Sequence, residues 1–360
     1  MLSVIIYFVP RILPLLLLCA AAHAAKVMRR ESQYHAMKNP LCTIPLLLSH
    51  AAVLSAVASA VAAAPASSPT TAEPPASSSA APRPAPRTVA DARSWCLYYG
   101  GWATNVVDRL APYELVVVDP AALGGKADET IAALHARGCL VAGYLSCFEV
   151  AKWHRYLPRV KEEWRVKVDG RNWVPWGANE AASLAEPEWR ALLVELMRTE
   201  VFDHGCDGVF MDTLADLDHP GLPEDERARQ LEGLGAFAAA YDAAYPDRFF
   251  VGNWTIQRTL PVLAPHLDAL CWEDFDPKHF EGSARGWMEG IAKKIGDEAA
   301  KHPFRVLTLW NANAPGDDLP ARQERMREIS ARLGCLPFCT SGGYHRLPAP
   351  GPDAVAEPVP

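Results

Sequence analysis

Eight short apolar runs, separated by amphipathic stretches, constrain the fold of this chain more than any other feature. They are WCLYYG (95–100), ELVVVDP (114–120), CLVAGYLS (139–146), GVFMD (208–212), RFFVGN (248–253), ALCWED (269–274), RVLTLWN (305–311) and LPFCTS (336–341). Each has the length of a strand buried on both faces. Helix-like segments lie between them. ADETIAALHARG stops at Gly138, EPEWRALLVELMRTEVFDHG has Pro187 near its start and stops at Gly205, and RQERMREISARLG stops at Gly334. Eight strands alternating with helices predict a parallel (β/α)8 barrel, a TIM barrel. A doubly wound open sheet is the competing architecture. No G-x-G-x-x-G loop follows the first run, which lowers a dinucleotide-binding reading. The long interval from Cys147 to Glu186 holds Trp164, Trp173 and Trp176. It reads as a loop inserted after strand 3, with a short hairpin at VDGRNW, hanging over the mouth of the barrel.

In a parallel barrel the C-terminal ends of the strands open on one face, where catalytic groups sit. Asp119, Glu149, Asp212, Asn253, Glu273 and Asn311 each fall at or just past such an end. Taken singly, each is also explained as a turn residue or helix N-cap, and Asp119, followed by Pro120, fits that reading well. Six on one strand end are harder to explain that way. Glutamate is a poor turn former, so Glu149 and Glu273 weigh more than the aspartates. Within GCDGVFMDTLADLDHP, Asp207 precedes the strand and is expected to be structural, while Asp212 emerges on the catalytic face. Asp216 and Asp218 are expected in a solvated loop beyond it. A cluster of acids beneath an aromatic-rich mouth points to carboxylate general acid/base chemistry, of which glycoside hydrolysis is the commonest example. A protonated carboxyl gives its proton to the leaving oxygen; an ionised one attacks the anomeric carbon or activates water.

The remaining features set limits. A formal charge of −7 without a basic cluster argues against nucleic acid as a partner. Neither a CxxC nor an HExxH pattern suggests a metal, and no G-x-S-x-G elbow suggests a serine nucleophile. No cofactor and no metal are therefore expected. His204 and His345 read as structural. Cys96, Cys139, Cys147, Cys206, Cys271, Cys335 and Cys339 are odd in number and mostly lie in or beside apolar runs, so buried thiols are expected; Cys335 and Cys339 are the one weak candidate for a bridge. Residues 1–64 carry two signal-like stretches, the second beginning at Met37, a candidate start. Export to a secreted or periplasmic location is expected, with an uncleaved membrane anchor as the alternative. Residues 65–90 read as a Pro/Ala/Ser-rich linker, 91–347 as the barrel and 348–360 as a disordered tail.

YLSCFEV, GCDGVFMDTL and LCWEDF, in that order, resemble the TIM-barrel domain of glycoside hydrolase family 114, the endo-α-1,4-polygalactosaminidases. They are also similar to the related family 166 hydrolase domain of Pel polysaccharide proteins. The likeness runs over about 95–345, with DGVFMDTL its most specific piece and LVVVDP and EPEWRALL in support. It implies a cofactor-free barrel that cleaves α-1,4-linked polymers of galactosamine or N-acetylgalactosamine. The aspartate of the family's D-G-V-x-x-D motif falls on Asp212 and its later strand-end glutamate on Glu273, which the resemblance makes the catalytic pair. The acid after the Y-x-S-x-G-E strand falls on Glu149, with Phe148 where the family has glycine. DTLADL stands for the family's DTLDSY and NWTI for its NRGF, both beside the cleft.

The expectation is an endo-acting glycosidase on an amino-sugar polysaccharide, with Asp212 and Glu273 dividing the nucleophile or base and acid roles and Glu149 assisting. Asp119, Asn253 and Asn311 would hold sugar hydroxyls or amines, and Tyr98, Tyr144, Trp254 and Trp310 would add contacts. Trp173 and Trp176 would stack on sugar rings or, equally, pack under the inserted loop. A barrel that binds carbohydrate without cleaving it, or a cell-surface scaffold, is the alternative. Retention or inversion of the anomeric centre is left open.

Overall fold

The computed structural model describes residues 88–177, 179–312 and 319–354. The expected targeting segment or anchor, the linker up to residue 87 and the tail beyond residue 354 lie outside them. Eight parallel strands pair in chain order: β1 (Trp95–Tyr98), β2 (Leu115–Val118), β3 (Leu140–Ser146), β4 (Gly208–Asp212), β5 (Phe249–Asn253), β6 (Ala269–Trp272), β7 (Arg305–Asn311) and β8 (Leu336–Thr340). Among the described residues, seven α-helices besides the one-turn helix Pro120–Leu123 pack around them: α1 (Val106–Leu110), α2 (Ala127–Ala136), α3 (Pro187–Leu196), α4 (Glu224–Ala244), α5 (Leu260–Leu263), α6 (Arg285–Ala299) and α7 (Leu319–Arg332). This is the (β/α)8 barrel that the run pattern predicts. All four residues of β1, β2 and β6 are buried, because helices cover one face and facing strands the other. At the seam, the Trp95 indole donates to the Leu336 carbonyl at 2.9 Å, and Tyr99 N donates to Tyr344 O at 2.7 Å. Side chain and loop bonds thus bring β8 back to β1.

The insertion after β3 is anchored at both ends. Glu149–Val150 pairs antiparallel with Glu180–Ala181. The expected hairpin pairs Lys167–Val168 with Arg171–Asn172 across Asp169 (φ 51) and Gly170 (φ 72). Two central residues at positive φ suit a tight two-residue hairpin turn, and Asp-Gly supplies them. Where the insertion meets α3, Leu184 N donates to Gln230 Oε1 of α4 at 2.6 Å. A Cβ on Gly233, one turn along, would stand 2.1 Å from the Leu184 carbonyl oxygen, so only glycine lets α4 approach there.

Two expectations are corrected here. Residues 348–354, assigned to a disordered tail, are docked on the barrel. Tyr113 Oη donates to the Ala349 and Gly351 carbonyls, and Gln323 Nε2 donates to Ala354 O. Cys335 and Cys339 are not bridged; all seven cysteines of the body are buried free thiols.

Candidate active site

Strand alternation decides what enters the mouth. Ser146 pairs with Asp212 at the ends of β3 and β4, and Tyr144, two residues earlier, points the same way. Tyr144 Oη accordingly donates to Asp212 Oδ2 at 3.1 Å. Asp212 Oδ1 accepts from its neighbour Thr213 N at 2.8 Å and from Asn253 Nδ2 at 2.8 Å. The same Asn253 nitrogen donates to Glu273 Oε2 at 2.9 Å, and Tyr344 Oη donates to Glu273 Oε1 at 2.8 Å. One amide, at the end of β5, therefore spans the two acids at the ends of β4 and β6. Laid end to end, 2.8 Å and 2.9 Å cap the gap between Asp212 Oδ1 and Glu273 Oε2 at 5.7 Å.

The backbone turns sharply after each of these three residues. Thr213 (φ 67), Trp254 (φ 50) and Asp274 (φ 53) all occupy the left-handed region without being glycine. Such positions cost of order 1–3 kcal/mol each and persist only where their surroundings hold them. Thr213 is held by its hydroxyl. Oγ1 donates to Asp212 O and accepts from Phe148 N at 2.9 Å and Glu149 N at 3.2 Å. One side chain thus joins the end of β4 to the segment carrying Glu149.

Tyr99, Tyr144 and Tyr344 form an aromatic wall, with Tyr99 4.5 Å from Tyr144 and 5.9 Å from Tyr344 between ring centroids. Burial first, then the negative charge nearby, raises all three phenols well above their ordinary value, so they are neutral donors. Tyr99 and Tyr344 were not anticipated; His345, read as structural, follows Tyr344, and its Nδ1 lies 3.1 Å from the Tyr99 carbonyl oxygen.

A second acid pair lies beside Asp212. Glu149 is 8% exposed and its Oε2 accepts from Asn179 Nδ2 at 2.7 Å. Asp216 is 3% exposed, which corrects the expectation of a solvated loop. Its Oδ1 accepts from the Trp176 indole at 2.7 Å. Its Oδ2 is buried and forms no hydrogen bond of regular geometry, yet it lies against the Glu149 carboxyl. Burial pushes Glu149 up to about 7, with the Asp212 charge adding to it and Asn179 opposing. Burial and Glu149 together raise Asp216 well above the carboxylate range.

Other anticipated residues stand elsewhere. Tyr98 faces away from the acids, its Oη donating to Gly101 O at 2.6 Å. Trp310 is buried beneath the Arg322 guanidinium of α7, 4.5 Å from its ring centre, because alternation sends residue 310 outward when 309 and 311 face inward. Trp173 is buried in edge contact with Phe148 and His219 under the inserted loop. Trp254 is half-buried against the core. Asn311 Oδ1 accepts from Gly343 N at 3.2 Å and so steadies the turn that carries Tyr344. Asp119 caps a one-turn helix, accepting from Ala121 N at 2.9 Å, and also contributes negative charge beside Tyr144. Asp207 is structural as expected, taking the Val141 N–H and His135 Nε2, each at 2.9 Å.

Among solved structures, the glycoside hydrolase domain of PelA from Pseudomonas aeruginosa is similar, at 21% identity and TM-score 0.55, over 71% of this chain and 97% of that one. Aspergillus fumigatus Ega3, solved in complex with galactosamine, is similar at 14% identity and TM-score 0.51, over 71% of this chain and 92% of that one. Both likenesses speak to the barrel fold. No curated protein matches the chain. The family model described as "Glycoside-hydrolase family GH114" matches residues 72–256, just over half of the chain. That stretch includes β1 to β5 and carries Glu149, Asp212 and Asn253, so the chain belongs to glycoside-hydrolase family GH114 and is a glycoside hydrolase.

Proposed function

We propose that this enzyme is an endo-acting, retaining glycosidase that cleaves α-1,4-linked polymers of galactosamine or N-acetylgalactosamine, with Asp212 as nucleophile and Glu273 as acid/base. The observation that carries the reading is the single Asn253 amide donating to both acids. It holds their nearest oxygens within the 5.7 Å limit. Carboxyls about 5–5.5 Å apart suit direct attack on the anomeric carbon, whereas a base that must seat a water between itself and the sugar needs about 6.5–9.5 Å.

Asp212 receives three donors and is aimed by the turn at Thr213, which fits a carboxylate that must strike one carbon. Glu273 gives its proton to the glycosidic oxygen as Asp212 attacks, leaving a glycosyl ester on Asp212. Glu273, now a carboxylate, takes a proton from water, whose oxygen displaces Asp212 and restores both acids. Tyr144 and Tyr344 stay as hydrogen-bond donors and keep each oxygen in place through both steps. The galactosamine bound in the similar Ega3 structure supports the sugar class. The concentration of acids at the mouth suits a sugar that carries an ammonium group. Two signal-like stretches before residue 65 support action outside the cytoplasm.

Asp212→Asn and Glu273→Gln should each lower reducing-end release from de-N-acetylated galactosamine polymer by about 10³-fold while leaving polymer binding. NMR of the first-formed product should read the α anomer. A β product overturns retention, and wild-type protein that binds but releases nothing from acetylated or de-N-acetylated polymer overturns the substrate.

A further inference from the structure

We propose that Asp216 is a positioning residue for the reaction: it shares a proton with Glu149, and the paired carboxyls, gripped by Trp176 and Asn179, fix the inserted segment beside Asp212. This inference rests on the proposed glycosidase reading for its kinetic part alone.

Geometry makes the pair. Glu149 enters from the segment after β3, and Asp216 from the turn after β4, four residues beyond Asp212. Thr213 Oγ1 ties those two segments together through Phe148 N and Glu149 N. Each carboxyl has one oxygen committed to the insertion, Glu149 Oε2 to Asn179 and Asp216 Oδ1 to the Trp176 indole. Asp216 Oδ2 is sealed from solvent and has no donor of regular geometry. Leaving a buried charged oxygen unpaired is costly; a proton held on Asp216 removes that charge and gives the neighbouring Glu149 carboxyl a donor.

Among the described residues, the groups that act most strongly on the pair bring no positive charge to replace that proton. Asp212 adds negative charge from β4, and the Cys147 thiol, whose burial keeps it neutral, lies next to Asp216. The His219 ring packs on Trp176 at 4.3 Å and is held below its usual value by burial and by Arg227. Arg227 itself is spent on the Leu217, His219 and Leu222 carbonyls and on Glu224. Two carboxyls touching in such a place ionise in two separate steps that belong to the pair. Loss of the shared proton therefore sets two like charges against each other and weakens the hold on the inserted segment, leaving the Thr213 hydroxyl as the remaining tie to Glu149.

Asn at position 216 mimics the protonated partner permanently: Oδ1 keeps the Trp176 bond and Nδ2 donates to Glu149. The alkaline limb of the kcat/KM profile should therefore move up by about one pH unit or more in Asp216→Asn. A second readout needs no substrate. Trypsin nicking at the exposed Lys167 and Arg171 of the insertion, compared between proteins at each pH, should rise several-fold for wild type between pH 6 and 8.5 relative to Asp216→Asn. Glu149→Gln neutralises the other half of the pair and should also remove that rise, which guards against one variant failing to fold. Superimposable pH profiles of kcat/KM overturn the proposal, and so does nicking that rises alike in wild type and both variants. If wild type shows the nicking pattern but hydrolyses no galactosamine polymer, the substrate reading fails while the carboxyl contact stands.

Discussion

Asp212 and Glu273 are kept apart by an amide that donates to both, whereas Glu149 and Asp216 touch with only a proton between them. All four acids sit in one barrel mouth, and the difference lies in what surrounds them. At the first pair every oxygen meets a neutral donor that does not titrate, so each acid can take or give a proton without losing its place. At the second pair the proton itself is the link, so geometry follows proton count. The first arrangement suits groups that cycle through protonation states in catalysis. The second suits a support that must stay fixed.

The comparison breaks most visibly at Asn253. Asn253→Ala removes the shared donor and leaves two carboxylates facing each other, turning the first pair toward the second. We expect kcat to fall about 10²-fold, because the two acids lose the donor that aligns them. Steady-state kinetics on a defined galactosamine oligomer reads the effect. An unchanged kcat would mean that the amide bridge does not position the pair.

Stability against pH sharpens the second half. Glu149 moves from an ordinary 4.5 to about 7 on folding, and Asp216 moves in the same direction. The folded state thus binds more protons than the unfolded chain between those values, so this pair's contribution to stability falls as pH rises through that window. Asp216→Asn should escape that loss and gain about 2 kcal/mol on wild type between pH 5 and pH 8. Urea unfolding of the two proteins at each pH measures the gap, and parallel curves would contradict the pairing.

A smaller effect tests the donors around the first pair. Tyr344→Phe leaves Glu273 Oε1 without its donor but keeps the ring that packs against Tyr99. A loss of about tenfold in kcat with little change in KM is expected, since the hydroxyl steadies the acid rather than the sugar.

The barrel was legible because strands buried on both faces read as continuous apolar runs, and all eight runs became strands. Asp212, Asn253 and Glu273 were legible because each ends such a run. The same continuity hid which residues of a run face inward. WCLYYG has no polar alternation, so nothing local separated Tyr98 from Tyr99, and LTLWN gave no sign that Trp310 turns outward under Arg322. Tyr344 lies 71 residues from the glutamate it serves, across α6, β7, α7 and β8, and no spacing rule links them. Asp216 looked like a solvated loop acid because its burial comes from Trp176, 40 residues earlier in an insertion without periodic pattern. The left-handed Thr213, Trp254 and Asp274 carry no sequence signal either, since threonine and tryptophan are poor candidates for that region.

Strand parity at β1 supplies the smallest and most discriminating test. Tyr98 and Tyr99 are adjacent and chemically identical, and both belong to the first run. Yet the Tyr98 hydroxyl is spent on Gly101 O, while Tyr99 presents its ring to Tyr144 and Tyr344 and lies in the field of Asp212 and Glu273. Tyr98→Phe should cost about 1 kcal/mol of stability from the lost hydrogen bond and leave kcat/KM within about twofold. Tyr99→Leu should lower kcat/KM several-fold, because the wall that aims the Tyr144 and Tyr344 hydroxyls loses its middle ring. If Tyr98→Phe is the variant that loses activity, β1 is inverted relative to its neighbours, and Tyr99 no longer belongs to the wall around Asp212 and Glu273.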